Sequence, residues 1–307
     1  MMAARRGLPI HGWLVLDKPL GMSSSRAVGA VRRLLGAAKA GHGGTLDPLA
    51  TGVLPIALGE ATKTVAWAMA GRKTYRFTLR WGEARDTDDA EGKVTGTSPV
   101  RPARAAIVPA LPGFTGRIQQ RPPAYSALKL GGERAYALAR EGADVALAPR
   151  PVDIYGLRFL GDRDADHAEF EAEVGRGTYI RALARDLGAA LGTLAHITAL
   201  RRLSVGRFRV EAATSLDNLA ALGHSAAASG HLLPIETALD DIPALALSEE
   251  EAHRLRCGQA VALGASERAQ LGSLEDGATV CATTGGKLVA VAEIATGALK
   301  PVRVLNL

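Results

Sequence analysis

The stretch Gly41-His42-Gly43-Gly44-Thr45-Leu46-Asp47-Pro48-Leu49-Ala50-Thr51-Gly52-Val53-Leu54-Pro55 decides how the rest of the chain is read. Its glycines and prolines suit neither a helix interior nor a central strand, so the spacing predicts a loop over residues 41–52. A short buried strand follows from Val53 to Leu58, with Pro55 expected at an edge. Asp47 is the only carboxylate between residues 19 and 59. An Asp before Pro is ordinarily a turn former, its side chain bonded to nearby backbone. A solitary acid in a glycine-rich loop is equally a candidate reactive group, and spacing leaves both readings open.

A chain of 307 residues, 47% apolar and 22% charged, buries a sizeable core and is expected to form two domains, 1–244 and 245–307. No apolar run is long enough to span a bilayer, and no signal-type segment follows Arg5 and Arg6. Two cysteines, Cys257 and Cys281, exclude a disulfide framework and point to a reducing, cytoplasmic setting. The seven histidines show no metal-ligand spacing, so neither metal nor cofactor is expected. The net charge of +6 is segregated: residues 1–80 hold twelve Lys/Arg against three Asp/Glu, and residues 175–210 hold seven against one. Single basic residues often only solvate helix faces, but two such blocks fit a phosphate-facing surface. Aromatic residues make up 4%, too few for a broad stacking platform on single strands.

Outward from the central stretch, Gly12–Asp17 reads as a strand, and Ser23-Ser24-Ser25 caps a helix running to about Leu35. Glu60–Ala70 reads as helical. Residues 74–81 alternate, with Tyr75, Phe77, Leu79 and Trp81 on one face, as do residues 167–174. Between them lie an acidic loop over 82–95, without the ligand spacing of a calcium-binding loop, and a Pro/Ala/Gly-rich linker over 96–115. Residues 113–150 carry a net basic charge. Gly175–Gly188 turns from a glycine loop into a helix whose buried stripe is Ile180, Leu183, Leu187 and Leu191. Leu216–Ala244 reads as a helical connector, and from Leu245 short β-like runs take over.

Residues 42–55 resemble the catalytic motif of the TruB-type tRNA pseudouridine synthases, and further stretches match in order. These are Lys18–Ser24, Tyr75 after Lys73, the acidic loop with Arg85 where the family has Thr, Pro122–Lys129, Gly177–Arg181 and Ala199–Leu203. The resemblance covers about residues 10–215. It implies an α+β pseudouridine synthase fold, a mixed, mainly antiparallel sheet with flanking helices, and an RNA-gripping insertion over about 113–150 with its helix over 133–141. It extends less specifically to a small PUA-like β-barrel domain over 245–307. By the same resemblance Asp47 is the nucleophile, with covalent attack and removal of a ribose proton both left open, Tyr75 is a catalytic residue that stacks on the target base and has a part in proton transfer, and Arg181 pairs with Asp47. His42 enters the stack that the flipped base vacates, Leu200 packs beneath the target nucleotide, and Tyr179 and Lys18 belong to the substrate-binding set. The implied substrate is uridine 55 in the T-loop of tRNA, bound by a monomer without guide RNA or membrane.

Without the resemblance each residue has a plainer reading: Tyr75 as strand core, Arg181 as a surface helix arginine, Lys18 as a turn lysine. Three rival functions stand beside the enzyme. A non-catalytic RNA-binding module need not keep Asp47. A guide-dependent synthase tends to carry a Lys-rich tail and lacks the 113–150 insertion. A carboxylate-pair hydrolase needs a second acid, and the motif holds none.

Overall fold

The computed structural model describes residues 7–126, 128–130, 132–140, 145, 147–222, 230–272 and 274–307. β1 (Gly12–Lys18) leads through α1 (Ser24–Leu34) and the short β2 (Ala40–His42) to β3 (Ala50–Leu58). A 3-10 turn and α2 (Val65–Ala70) carry the chain into β4 (Lys73–Trp81). β5 (Glu83–Arg85) and β6 (Val94–Thr97) pair as a ribbon, followed by α3 (Arg104–Ala110) and β7 (Gly116–Gln120). β8 (Lys129–Leu130), β9 (Glu133–Arg134) and α4 (Ala135–Arg140) make up the described part of the insertion. Then come β10 (Arg150–Asp162), β11 (His167–Val174), α5 (Ile180–Ala190) and β12 (Ala195–Val205). β13 (Phe208–Arg209), α6 (Leu216–Leu222) and β14 (Leu232–Leu233) complete the first unit.

The main sheet has the order β14-β1-β3-β12-β4-β11-β10-β7, with β2 beside β3 and β13 beside β12. β3 and β12 run parallel and the neighbours on either side are antiparallel, which is the mixed, mainly antiparallel sheet expected. Period-two alternation sends Tyr75, Phe77, Leu79, Trp81, Ala168, Phe170, Ala172 and Val174 into one core, where Phe77 stacks on Phe170 at 5.5 Å. Ile180, Leu183 and Leu187 of α5 join that core from above the sheet.

The C-terminal unit is a five-stranded sheet of order β15-β17-β18-β19-β16. Its strands are β15 (Ala244–Ala246), β16 (Val261–Ala262), β17 (Thr279–Thr284), β18 (Lys287–Ala295) and β19 (Ala298–Val304), with α7 (Glu249–Arg256) and α8 (Ala265–Leu271) between them. It has a core of its own around Leu245, Leu255, Val280, Val289 and Leu299. Cys281, Leu288, Val291 and Leu305 instead share a cluster with Trp13, Val15 and Val53 of the first unit. Lys63 Nζ donates to the Val304 carbonyl at 2.8 Å, and the Asn306 amide donates to Glu60 Oε2 at 2.7 Å, tying the two units together.

Several expected boundaries move. The loop predicted over 41–52 is confined to 43–49, because Gly41 and His42 pair with Ala57 and Ile56, and residues 50–52 pair with β12. Gly52 holds φ +96° there, and a Cβ on it would lie 2.2 Å from the Arg202 carbonyl oxygen. Pro55 is not on an edge strand. β3 pairs with β12 over residues 50–52 and with β2 over 56–58, and Pro55 lies between those pairings, where no N–H is required. Residues 59–64 are 3-10 rather than α-helical. The acidic loop contains β5 and β6, and the expected linker contains α3, anchored by fully buried Ile107. In the insertion, residues 133–134 are strand and the helix begins at Ala135, with residue 141 outside the described residues. The helical connector includes β14, which extends the main sheet beside β1.

Candidate active site

The segment carrying Asp47 is held from four sides. The Ser24 hydroxyl accepts from the Leu46 amide at 2.8 Å and donates to the Leu46 carbonyl at 2.9 Å. The Gly21 amide donates to the Pro48 carbonyl at 2.9 Å. Lys18, fully buried, donates from Nζ to the carbonyls of Pro19, Met22 and Pro48. Arg202, 1% exposed, donates from Nε to Val53 O at 2.7 Å, from Nη2 to Gly44 O at 3.0 Å and from Nη1 to Thr45 O at 3.3 Å. Space is tight beneath the loop: a Cβ on Gly43 would lie 3.2–3.3 Å from Trp13, Ala68 and Pro55.

Arg181 approaches from the start of α5, itself 5% exposed. Its Nε lies 3.0 Å from Asp47 Oδ2 and its Nη1 lies 3.5 Å from Asp89 Oδ2. The remaining donors go to carbonyls, Nη1 to Thr87 at 2.7 Å and Nη2 to Tyr125 at 2.9 Å. The guanidinium is thereby fixed in plane, so Asp47, whose side chain keeps 41% of its exposure, has one oxygen oriented and the carboxylate still reachable. Asp89 is in turn held by the Thr87 hydroxyl at 2.6 Å and the Glu91 amide at 3.0 Å. Arg185 Nη1 pairs with Asp88 Oδ2 at 2.9 Å, and burial pushes the Asp88 carboxyl up to about 6 in spite of that pair. Asp47, Leu49, Ala50, Asp89, Ile197, Thr198, Ala199 and Leu200 line a small open cleft.

Of the residues singled out by sequence, Asp47, Arg181 and Leu200 meet at this cleft. Tyr75 is 9% exposed and packs in the same core cluster as Leu46 and Leu200, opposite Arg202 and next to Phe77, which faces Leu200 across β4 and β12. Lys18 lies behind the loop rather than in the cleft, its ammonium engaged with backbone. Burial lowers it to about 8, while Asp47 draws it upward. His42 ends β2; burial and then Arg202 hold its imidazole below the usual range, and its buried Nδ1 has no partner among the described residues. Tyr179 precedes α5, with its backbone amide and carbonyl paired to the Gln120 side chain and Arg150 5.3 Å from its ring centroid. Arg85 pairs with Glu83 at 2.7 Å and closes the acidic loop through the carbonyls of Ala90 and Gly92.

Sequence reasoning missed Arg202, Asp89 and Ser24. Asp89 is visible as an acid, but only the fold carries it across to Arg181. Arg202 gives no local signal beyond its neighbourhood in Ala199–Leu203. Among the described residues no group of three or more His, Cys, Asp or Glu could hold a metal ion, and no helix is long and apolar enough to cross a membrane.

The TruB family pseudouridylate synthase N-terminal domain model matches residues 32–180, and the tRNA pseudouridylate synthase B C-terminal domain model matches residues 181–240. A tRNA pseudouridine synthase B of Bradyrhizobium diazoefficiens is 56% identical over 303 residues, 97% of this chain and 86% of the relative. The protein of that name from Rhodospirillum rubrum is 54% identical over 308 residues, covering both chains completely. Among solved structures, a Cbf5–Nop10–Gar1 complex aligns with TM-score 0.72 and 27% identity over 96% of this chain and 84% of that one. An H/ACA RNP bound to a substrate RNA containing 2′-deoxyuridine aligns with TM-score 0.73 at 23% identity over 100% of this chain and 92% of that one, a likeness of fold.

Proposed function

The chain belongs to the TruB family of pseudouridine synthases, and from that premise we propose that it converts uridine 55 in the T-loop of tRNA to pseudouridine with Asp47 as nucleophile. The observation that carries the reading is the 3.0 Å contact from buried Arg181 to Asp47, which lines the cleft together with Leu200. The reaction breaks the N1–C1′ bond, forms a C5–C1′ bond, and exchanges the C5 proton for one on N1. It is an isomerisation and calls for no cofactor. The target base lies within a folded RNA loop and must be extruded before it reaches Asp47.

In this reading His42 fills the gap in the stack, aided by an imidazole that stays neutral. Tyr75 and Leu200 support the extruded nucleotide, and Tyr179 borders the site. The Asp47 carboxylate attacks C1′ as the N1–C1′ bond breaks, the freed uracil turns, and C5 attacks C1′ to release the carboxylate, C5 then losing its proton as N1 gains one. Asp89 and the Thr87 and Tyr125 carbonyls keep Arg181 aimed while charge redistributes on Asp47. Lys18 supports binding through the loop backbone. Residues 245–307 act as a PUA-like unit, and the enzyme works as a cytoplasmic monomer. It needs no guide, a reading supported by 54–56% identity over nearly the whole chain to proteins named tRNA pseudouridine synthase B.

The test is to incubate the purified chain alone with a tRNA transcript and map pseudouridine by position. Conversion at uridine 55 is the expected result. Conversion elsewhere, or only with an added guide RNA, would contradict the substrate assignment.

A further inference from the structure

β12 carries a bulge at the cleft. Ile197 pairs with Leu79 and Ala199 with Thr78 of β4, so Thr198 is an extra residue without a partner opposite it. Bulges re-aim side chains, and this one shifts the alternation so that Ile197 and Leu200 are both buried with half-buried Thr198 between them. All three line the cleft with Asp47 and Asp89. The other lining residues are Leu49, Ala50 and Ala199, so Thr198 supplies the only uncharged side-chain hydrogen-bonding group among those described there.

Both carboxylates are already committed. Asp47 faces Arg181, and Asp89 is held by Arg181, Thr87 and Glu91. The Thr198 hydroxyl has one long contact, donating to the Thr78 carbonyl at 3.4 Å. A hydroxyl with so weak a partner keeps its oxygen lone pairs free to accept a hydrogen bond. Uracil presents an N3–H donor on its imide edge. We propose that Thr198 reads the target base, its hydroxyl oxygen accepting from uracil N3–H. The inference rests on the reading of the cleft as the base pocket. A site built around a hydrogen bond rejects the analogue that lacks the donor.

Single-turnover pseudouridine formation and RNA affinity on a T-arm transcript test it, using wild type, Thr198→Val and Thr198→Ser. The isosteric Val removes the hydroxyl and is expected to slow conversion about tenfold, the worth of one neutral hydrogen bond, with RNA affinity unchanged within about twofold. Ser restores the rate to within about twofold of wild type. A transcript carrying 3-deazauridine, with C–H in place of N3–H, is expected to lose about tenfold less in Thr198→Val than in wild type. Val at the wild-type rate overturns the proposal, as does Ser falling as far as Val, or equal 3-deazauridine losses in both proteins. If wild type leaves uridine unconverted, the function itself fails and the proposal falls with it; conversion by wild type with no effect of Val removes Thr198 alone.

Discussion

Arg181 donates to Asp47 while Asp89 and two carbonyls hold its other edges, so its aim is set before RNA arrives. Lysine keeps the charge but lacks the planar fork. Arg181→Lys is therefore expected to lower the single-turnover rate by about 10²-fold, in line with the loss of one preorganised donor, while RNA affinity changes by less than about threefold. Equal losses in rate and affinity would contradict the pairing. Sequence made Asp47 and Arg181 legible only because long motifs surround both, since turn chemistry and helix periodicity read them as an ordinary turn acid and a surface arginine. Asp89 was out of reach of such reading: no spacing rule brings a ribbon tip to the start of a helix more than ninety residues later.

The loop that presents Asp47 is shaped by its neighbours' backbone needs. Gly52→Ala would force a Cβ against the Arg202 carbonyl at a backbone angle that disfavours L-residues, and should lower unfolding free energy by at least about 2 kcal/mol in urea titration. An unchanged midpoint would refute the close approach. Lys73, buried with its ammonium bound to the Met69 and Gly71 carbonyls, is lowered to about 8 by burial, then by Arg202 and Arg176. A base depressed on folding leaves the unfolded chain holding more protons between about pH 8 and its ordinary value near 10.5, so stability gains there with rising pH. Lys73→Met should flatten that gain relative to wild type; parallel stability curves for the two proteins would show that the amine is not desolvated. Strands with clean alternation, such as 74–81 and 167–174, were legible because one face is buried. β2, β14 and the central placement of Pro55 were not, because long-range pairing decides them.

Across the whole molecule the two units share an apolar cluster in which Cys281, Leu288, Val291 and Leu305 cover Trp13, Val15 and Val53. The composition shift near residue 245 marks a change of sheet, but it carried no sign of this shared core. Removal of residues 244–307 should expose that cluster and lower the thermal midpoint by several degrees or cause aggregation; a truncated chain as stable as the full one would mean that the units fold independently. The central proposal is that Asp47 performs chemistry on a bound RNA. The most direct measurement compares wild type with Asp47→Asn on one T-arm transcript, following pseudouridine formation and RNA affinity together. Conversion by wild type alone, with the variant binding RNA within about threefold of wild-type affinity, is the predicted result. Pseudouridine formed by Asp47→Asn at a comparable rate would place the nucleophile elsewhere and contradict the account.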